Sequence, residues 1–355
     1  MKKAVTTARL KISTIIAAVV LFGFSITAHA GETNINIASE PIIFVAGWEE
    51  NAQGNMAATL WRNGIAQRLS DGTTHAGATF VFVCGNDVFV AGWEENAKGN
   101  DVAMLWKNST PQRLSDGNHD ATAFSVFVSG NDVFVAGFEE NAQGNYVATF
   151  WKNGTPQRLS DENHDAIAFS VFVYGNDVFV TGFEENTQGN GVATLWRNGI
   201  AQHLSDGNYD AFAVSVFVYG DDVFVAGLEE NAQGNAVATL WKNGTPQRLS
   251  DKNYEASAVY VFVYGDDVFV AGYEENAQGN AIATLWKNGT PQPLSDKNYE
   301  ASAVFVFVYG NDVFVAGFEE NAQGNDVATL WRNGIAQRLN DGNYHARAFS
   351  IFITR

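Results

Sequence analysis

Residues 124–128, FSVFV, and 133–138, VFVAGF, are apolar at nearly every position, with no polar alternation between them. The tight-turn sequence SGND (129–132) separates them, and the polar stretch EENAQGN (139–145) follows. A third apolar run, YVATFW (146–151), leads through KNGT into a short polar run opened by a proline, PQRLS (156–160). Short β-branched and aromatic runs bounded by Gly, Asn and Asp read as strands, and Asn153-Gly154 is a strong two-residue hairpin signal. Nothing here has helical period.

The same unit recurs. The glycine of VAG or VTG falls at 47, 92, 137, 182, 227, 272 and 317, a constant spacing of 45 residues, and seven copies fill 41–355. A fixed period of this size marks a solenoid or a propeller. Four antiparallel strands per unit predict a propeller blade. The first two strands are apolar throughout, as a sheet covered on both faces requires. The fourth is polar and tolerates proline, as an outer edge strand should. The fold expected is an all-β, seven-bladed β-propeller with the first strand of each blade lining the axis. The chain ends in FSIFITR (349–355), a further copy of the innermost strand. Ser350–Thr354 is therefore expected to complete the first blade and close the ring, Velcro fashion, removing its open edges.

Over residues 41–355 the pattern SVFVSGNDVFVAG followed by VATFWKNGTPQRL resembles the broad group of bacterial secreted β-propeller repeat proteins. The resemblance implies a fold and no activity. The Trp-Asp signature of WD repeats, the Gly-Gly pair of kelch repeats and the sialidase-type Asp-box are all absent.

Lys2, Lys3, Arg9 and Lys11 precede an apolar run from Ile12 to Ala28, and Ala28-His29-Ala30 stands before Gly31. This reads as a secretory signal peptide over 1–30, followed by a leader over 31–40 and one propeller domain over 41–355, with no membrane insertion once the signal is cleaved. Of the 39 acidic and 21 basic residues, removal of the signal takes away four bases and leaves a net charge of −22. That excludes non-specific nucleic-acid binding and disfavours an anionic membrane surface. A lone cysteine, Cys84, makes no intrachain disulfide, so the core must hold the fold. The expected state is a monomer.

Strand order decides where the charge lies. In a four-stranded meander the second connection (EENAQGN) and the crossing to the next blade (such as SDGNHDA) emerge on one face. That face collects 29 of the 39 acidic residues against Lys98, Lys252, Lys297 and Arg347, a sum of −25; the opposite face carries eight acids against seven bases, −1. A one-signed face steers oppositely charged partners.

Each Glu pair follows a large apolar residue. The sets are Trp48, Glu49 and Glu50; Trp93, Glu94 and Glu95; Phe138, Glu139 and Glu140; Phe183, Glu184 and Glu185; Tyr273, Glu274 and Glu275; and Phe318, Glu319 and Glu320, with Leu228 in the remaining blade. Aromatic rings beside carboxylates point to a shallow, multivalent carbohydrate site, so the reading adopted is an exported, non-catalytic, lectin-like module. Its alternatives are a scaffold that docks a basic partner on the acidic face and, more weakly, a hydrolase or lyase with an axial site. No cofactor is implied; calcium is a weak option, because the loops supply oxygens without EF-hand spacing.

Two further sets stand out. A Trp ends the third strand of every blade (Trp61, Trp106, Trp151, Trp196, Trp241, Trp286 and Trp331) and is expected to be a packing post. Between two alanines of each crossing the residue varies: Gly77, Thr122, Ile167, Phe212, Ser257, Ser302 and Arg347. These are expected to rim a channel mouth, where Ile167, Phe212 and Arg347 would shape any unique site. The mature histidines (75, 119, 164, 203 and 345) occupy partly repeated positions and give no relay or chelate geometry.

Overall fold

The computed structural model describes residues 41–354 other than Lys252 and Lys297. The signal peptide and leader expected over 1–40 lie outside the described residues.

Among the described residues the apolar runs become 28 strands, numbered in chain order and grouped into seven four-stranded antiparallel sheets. The third blade is representative: β8 (Ala121–Ser129), β9 (Asp132–Glu140), β10 (Tyr146–Lys152) and β11 (Thr155–Arg158), in the spatial order 8-9-10-11. The inner strand is buried along most of its length, and the outer strand is exposed at all four residues. The first blade is assembled from both ends of the chain. Its order is β28 (Ala346–Thr354), β1 (Ile42–Glu50), β2 (Met56–Arg62), β3 (Ile65–Arg68), with Ile42 opposite Thr354 and Glu49 opposite Ala346. The closed wheel is as expected from the sequence.

Turn chemistry follows the letters. Asn153 and Gly154 both take positive φ (52° and 79°), the type I′ pattern whose twist matches the flanking strands. Gly130 opens the other hairpin with φ 60°, as the first position of a type II′ turn requires.

One element was not legible as such. Each inner strand carries a β-bulge, placed between Ala123 and Ser125 in the third blade. The bulge turns the carbonyl of Thr122 onto the neighbouring strand, where a Cβ on Gly137 would lie 1.9 Å from that oxygen. The recurring glycine is thus the only residue that admits the bulge. The Trp of each blade packs on the same glycine, 2.9 Å from that would-be Cβ to Trp151 Cζ3 in the third blade. All seven of these tryptophans are fully buried, and none of their indole N–H groups finds an acceptor among the described residues. They are packing posts, as expected, and apolar contact outweighs the lost hydrogen bond there.

Along each inner strand, side chains two apart share one side of the strand. Phe82, Phe127, Phe172, Phe217, Phe262, Phe307 and Phe352 form a closed ring, neighbours 5.1–6.0 Å apart between centroids, with no member more than 5% exposed. Two residues earlier, Phe80, Tyr260 and Phe305 are fully buried, and Phe80 meets Phe305 at 6.1 Å across the intervening first blade. Buried Ser125, Ser170, Ser215 and Ser350 take the other four places of that layer, each accepting a backbone N–H from a neighbouring inner strand.

Candidate functional site: the acidic face

The second connection and the crossing are tied to one another, so they share a face as strand order requires. In the first blade Asn51 Oδ1 accepts from the backbone N–H of Gln53 (2.9 Å) and Asn55 (3.1 Å), while its Nδ2 donates to the Gly72 carbonyl (2.9 Å). Asn141 repeats this with the Glu162 carbonyl at 2.8 Å.

Many of the repeated acids on this face act as local acceptors. In all seven crossings the Asp after LS or LN accepts from the N–H two residues on: Asp71, Asp116, Asp161, Asp206, Asp251, Asp296 and Asp341. The Thr73 hydroxyl and then its N–H hold Asp71 below the ordinary carboxylate range, and the N–H and side-chain amide of Asn118 do the same for Asp116. A second acceptor stands just before each variable Ala-x-Ala segment and caps the first N–H of the preceding blade's third strand. Asp120, Asp165 and Asp210 serve in three blades, Glu255 and Glu300 in two, and the Nδ1 atoms of His75 and His345 in the remaining two, at 2.8–3.2 Å. Asp, Glu and His interchange there because each offers an acceptor.

The Glu pairs are set deeper. Burial raises the first Glu of the pair above its usual value in Glu49, Glu139, Glu229 and Glu319, against the pull of Arg68, Arg158, Arg248 and Arg338. Glu94 behaves likewise, its burial reinforced by Asp71 and opposed by Arg113. Glu184 instead faces His203 Nε2 at 3.3 Å. Pro293 takes the outer-strand position in the sixth blade, and Glu274 is raised by burial and by Asp251. The second Glu binds the crossing: Glu50 Oε2 accepts from His345 N–H and Glu95 Oε2 from His75 N–H, both at 3.4 Å. In Glu185 and Glu275 burial again raises the carboxyl. The backbone N–H groups of Glu140 and Glu320 donate to the Asp120 and Glu300 carbonyls. The sequence-based charge sum needs correction here. Five outer-strand arginines (68, 113, 158, 248 and 338) also reach this face and oppose its acids.

The channel-mouth expectation is also corrected. The inner strand begins earlier than the crossing suggested, so the variable residue lies within the sheet, opposite the residue preceding the Glu pair. Gly77, Thr122, Ile167, Phe212, Ser257 and Ser302 are buried, and Arg347 is half-buried. They pack at the seams between blades. Phe212 meets Phe183 of the preceding blade edge-on at 4.9 Å, in space left by Gly191, where a Cβ would lie 2.8 Å from the Phe212 ring. Arg347 lies over Phe318 at 4.1 Å and bonds Asp326 Oδ2 through Nε at 2.7 Å. Where the counterpart of Asp326 is Asp101 and that of Arg347 is Thr122, burial together with Asp120 and Glu95 pushes Asp101 up to about 7. Phe212 with Gly191 and Arg347 with Asp326 are thus compensating differences, whereas Asp101 beside Thr122 is uncompensated.

Two grooves open on this face, of about 190 and 460 Å³, each between an incoming crossing and a Glu pair. The smaller holds His164 and His203 with Asp161, Asp165, Glu184 and Glu185; the larger holds Tyr209, Asp206, Asp210, Glu229, Glu230 and Arg248. Among the described residues no group of three or more His, Cys, Asp or Glu is placed to hold a metal ion.

No family model matches the chain, and no curated protein matches it in sequence. Solved structures do match its fold. The β-propeller domain of the Trilobed protease from Pyrococcus furiosus, described as having an open velcro topology, aligns with TM-score 0.52 at 12% identity over 86% of this chain and 98% of that one. Pyrococcus horikoshii acylaminoacyl peptidase aligns with TM-score 0.54 at 14% identity over 86% of this chain and 52% of that one. Puromycin hydrolase gives TM-score 0.58 at 10% identity over 87% of this chain and 54% of that one. The chain thus spans about half the length of the last two. In contrast to the open velcro of the first, strand β28 closes this ring.

These neighbours overturn the lectin-like expectation: they are propellers of peptidases and hydrolases, not of lectins. The packing agrees, since Phe138 and Phe183 are 5% and 2% exposed and their faces are spent on blade seams, while Trp48, Trp93, Tyr273 and Phe318 are also partly buried.

Proposed function

We propose that this chain is an exported, non-catalytic propeller module that works beside a hydrolase. The axis carries the non-catalytic part of the reading: it is lined by the phenylalanine ring and by Phe80, Tyr260 and Phe305, and the four serines of that second layer are engaged as acceptors of backbone N–H groups, where an enzyme of this shape would converge catalytic groups. Support for the hydrolase comes from the kind of propeller the fold resembles. Support for export, and for placement with secreted bacterial repeat propellers, is the basic, apolar and Ala-His-Ala succession over residues 2–30.

The test is affinity capture of the full chain from its own cells, followed by assay on a panel of peptides and aminoacyl amides. The expected result is hydrolysis by the captured fraction and none by the purified chain. Turnover by the purified chain overturns the non-catalytic reading; an inactive captured fraction overturns the association. Amino-terminal sequencing of the secreted chain is expected to begin at Gly31, and an intact Met1 would refute cleavage.

A further inference from the structure

The face opposite the acidic loops holds a feature that the seven-fold pattern conceals. The last inner-strand residue is Tyr174, Tyr219, Tyr264 and Tyr309 in four consecutive blades, whereas Thr354, Cys84 and Ser129 stand in the other three. Each of these positions lies two residues beyond a member of the axial phenylalanine ring, hence on the same side of its strand. Neighbouring phenylalanines beneath Tyr174, Tyr219 and Tyr264 are 5.1 Å apart. The tyrosines therefore form a crescent around one side of the axial mouth, one layer outward from the ring. Three are open to solvent, Tyr174 at 46% and Tyr219 and Tyr264 at 45% each, while Tyr309 is half-buried against the core.

Charge singles out the same arc. Of the eight turn aspartates on this face, six are held by a third-strand cation, as in Asp222 with Lys242 (2.6 Å) and Asp267 with Lys287 (2.7 Å). The other two, Asp221 and Asp266, are exposed and form no ion pair among the described residues. They follow Tyr219 and Tyr264 by two positions, and four other blades carry Asn there. The face already shows how it receives a cation: Lys242 and Lys287 lie over Phe224 and Phe269 at 5.2 and 5.3 Å.

We propose that the crescent is a docking surface for a basic segment of a partner protein, whose arginine or lysine side chains lie against Tyr219 and Tyr264 and are met by Asp221 and Asp266. It stands apart from the hydrolase reading and survives that reading's failure. The test uses the full chain and a fluorescein-labelled, Gly-Ser-spaced peptide with three arginines, followed by anisotropy at 0.15 M salt. Tyr219→Ser with Tyr264→Ser copies Ser129 and changes no charge; Asp221→Asn with Asp266→Asn copies the other blades. Each pair is expected to weaken binding by about tenfold or more, and Glu140→Gln with Glu185→Gln on the acidic face by much less. Unchanged binding in the tyrosine pair, or no binding by the native chain, overturns the proposal. A loss confined to the acidic-face pair also overturns it and assigns the peptide to bulk charge.

Discussion

Ser109 stands where six other blades carry glycine, at a φ of 65° that costs a residue with a Cβ on the order of 1 kcal/mol. Ser109→Gly is expected to stabilise the chain by about 0.5–1 kcal/mol in denaturant melts, less whatever its hydrogen bond from Gln67 Nε2 (2.9 Å) supplies. That position was readable from the Asn-Gly pairs. Asp101 was not, because its environment depends on a neighbour in the next blade. With a folded value near 7, above the unfolded carboxylate range, Asp101 contributes stability that is fully present below about pH 4 and lost as pH rises through 7. Asp101→Asn is therefore expected to be the more stable protein at pH 8, by on the order of 2–4 kcal/mol, with the gap closing toward pH 4. Thr122→Arg, copying Arg347 over Asp326, is expected to bring the Asp101 titration well below 7 in carboxyl-detected NMR.

At the scale of the element, strand order and turn type were legible because they follow from apolar runs and from Gly and Asn. The bulge was not, since its only trace in the sequence is an invariant glycine. Gly137→Ala places a methyl group 1.9 Å from the Thr122 carbonyl oxygen and is expected to cost about 3 kcal/mol or more, or to abolish folding of the blade. Asn141 is 8% exposed and joins its own loop to the crossing. Asn141→Ala is expected to lose about 2–3 kcal/mol and to speed amide exchange in residues 141–146 and 161–165 with little change elsewhere. The acids of the crossing looked like a binding surface because a sequence displays charge. The backbone N–H groups they satisfy become visible only once the strand ends are placed.

For the whole molecule, periodicity alone predicts the wheel and the return of the last strand to the first blade. Removing 346–355 exposes both the β1 edge and one side of the phenylalanine ring. That truncation is expected to associate in sizing chromatography and to lose its single cooperative transition in calorimetry. Seven near-copies pose a hazard of assembly, for any inner strand resembles the one that should close the circle. The seams lessen it. Phe212 transferred beside Tyr146 meets occupied space, and Arg347 transferred beside Gly191 loses the Asp326 side chain that it bonds in its own place. Small differences between copies thereby act as an address, telling each blade which neighbour is its own.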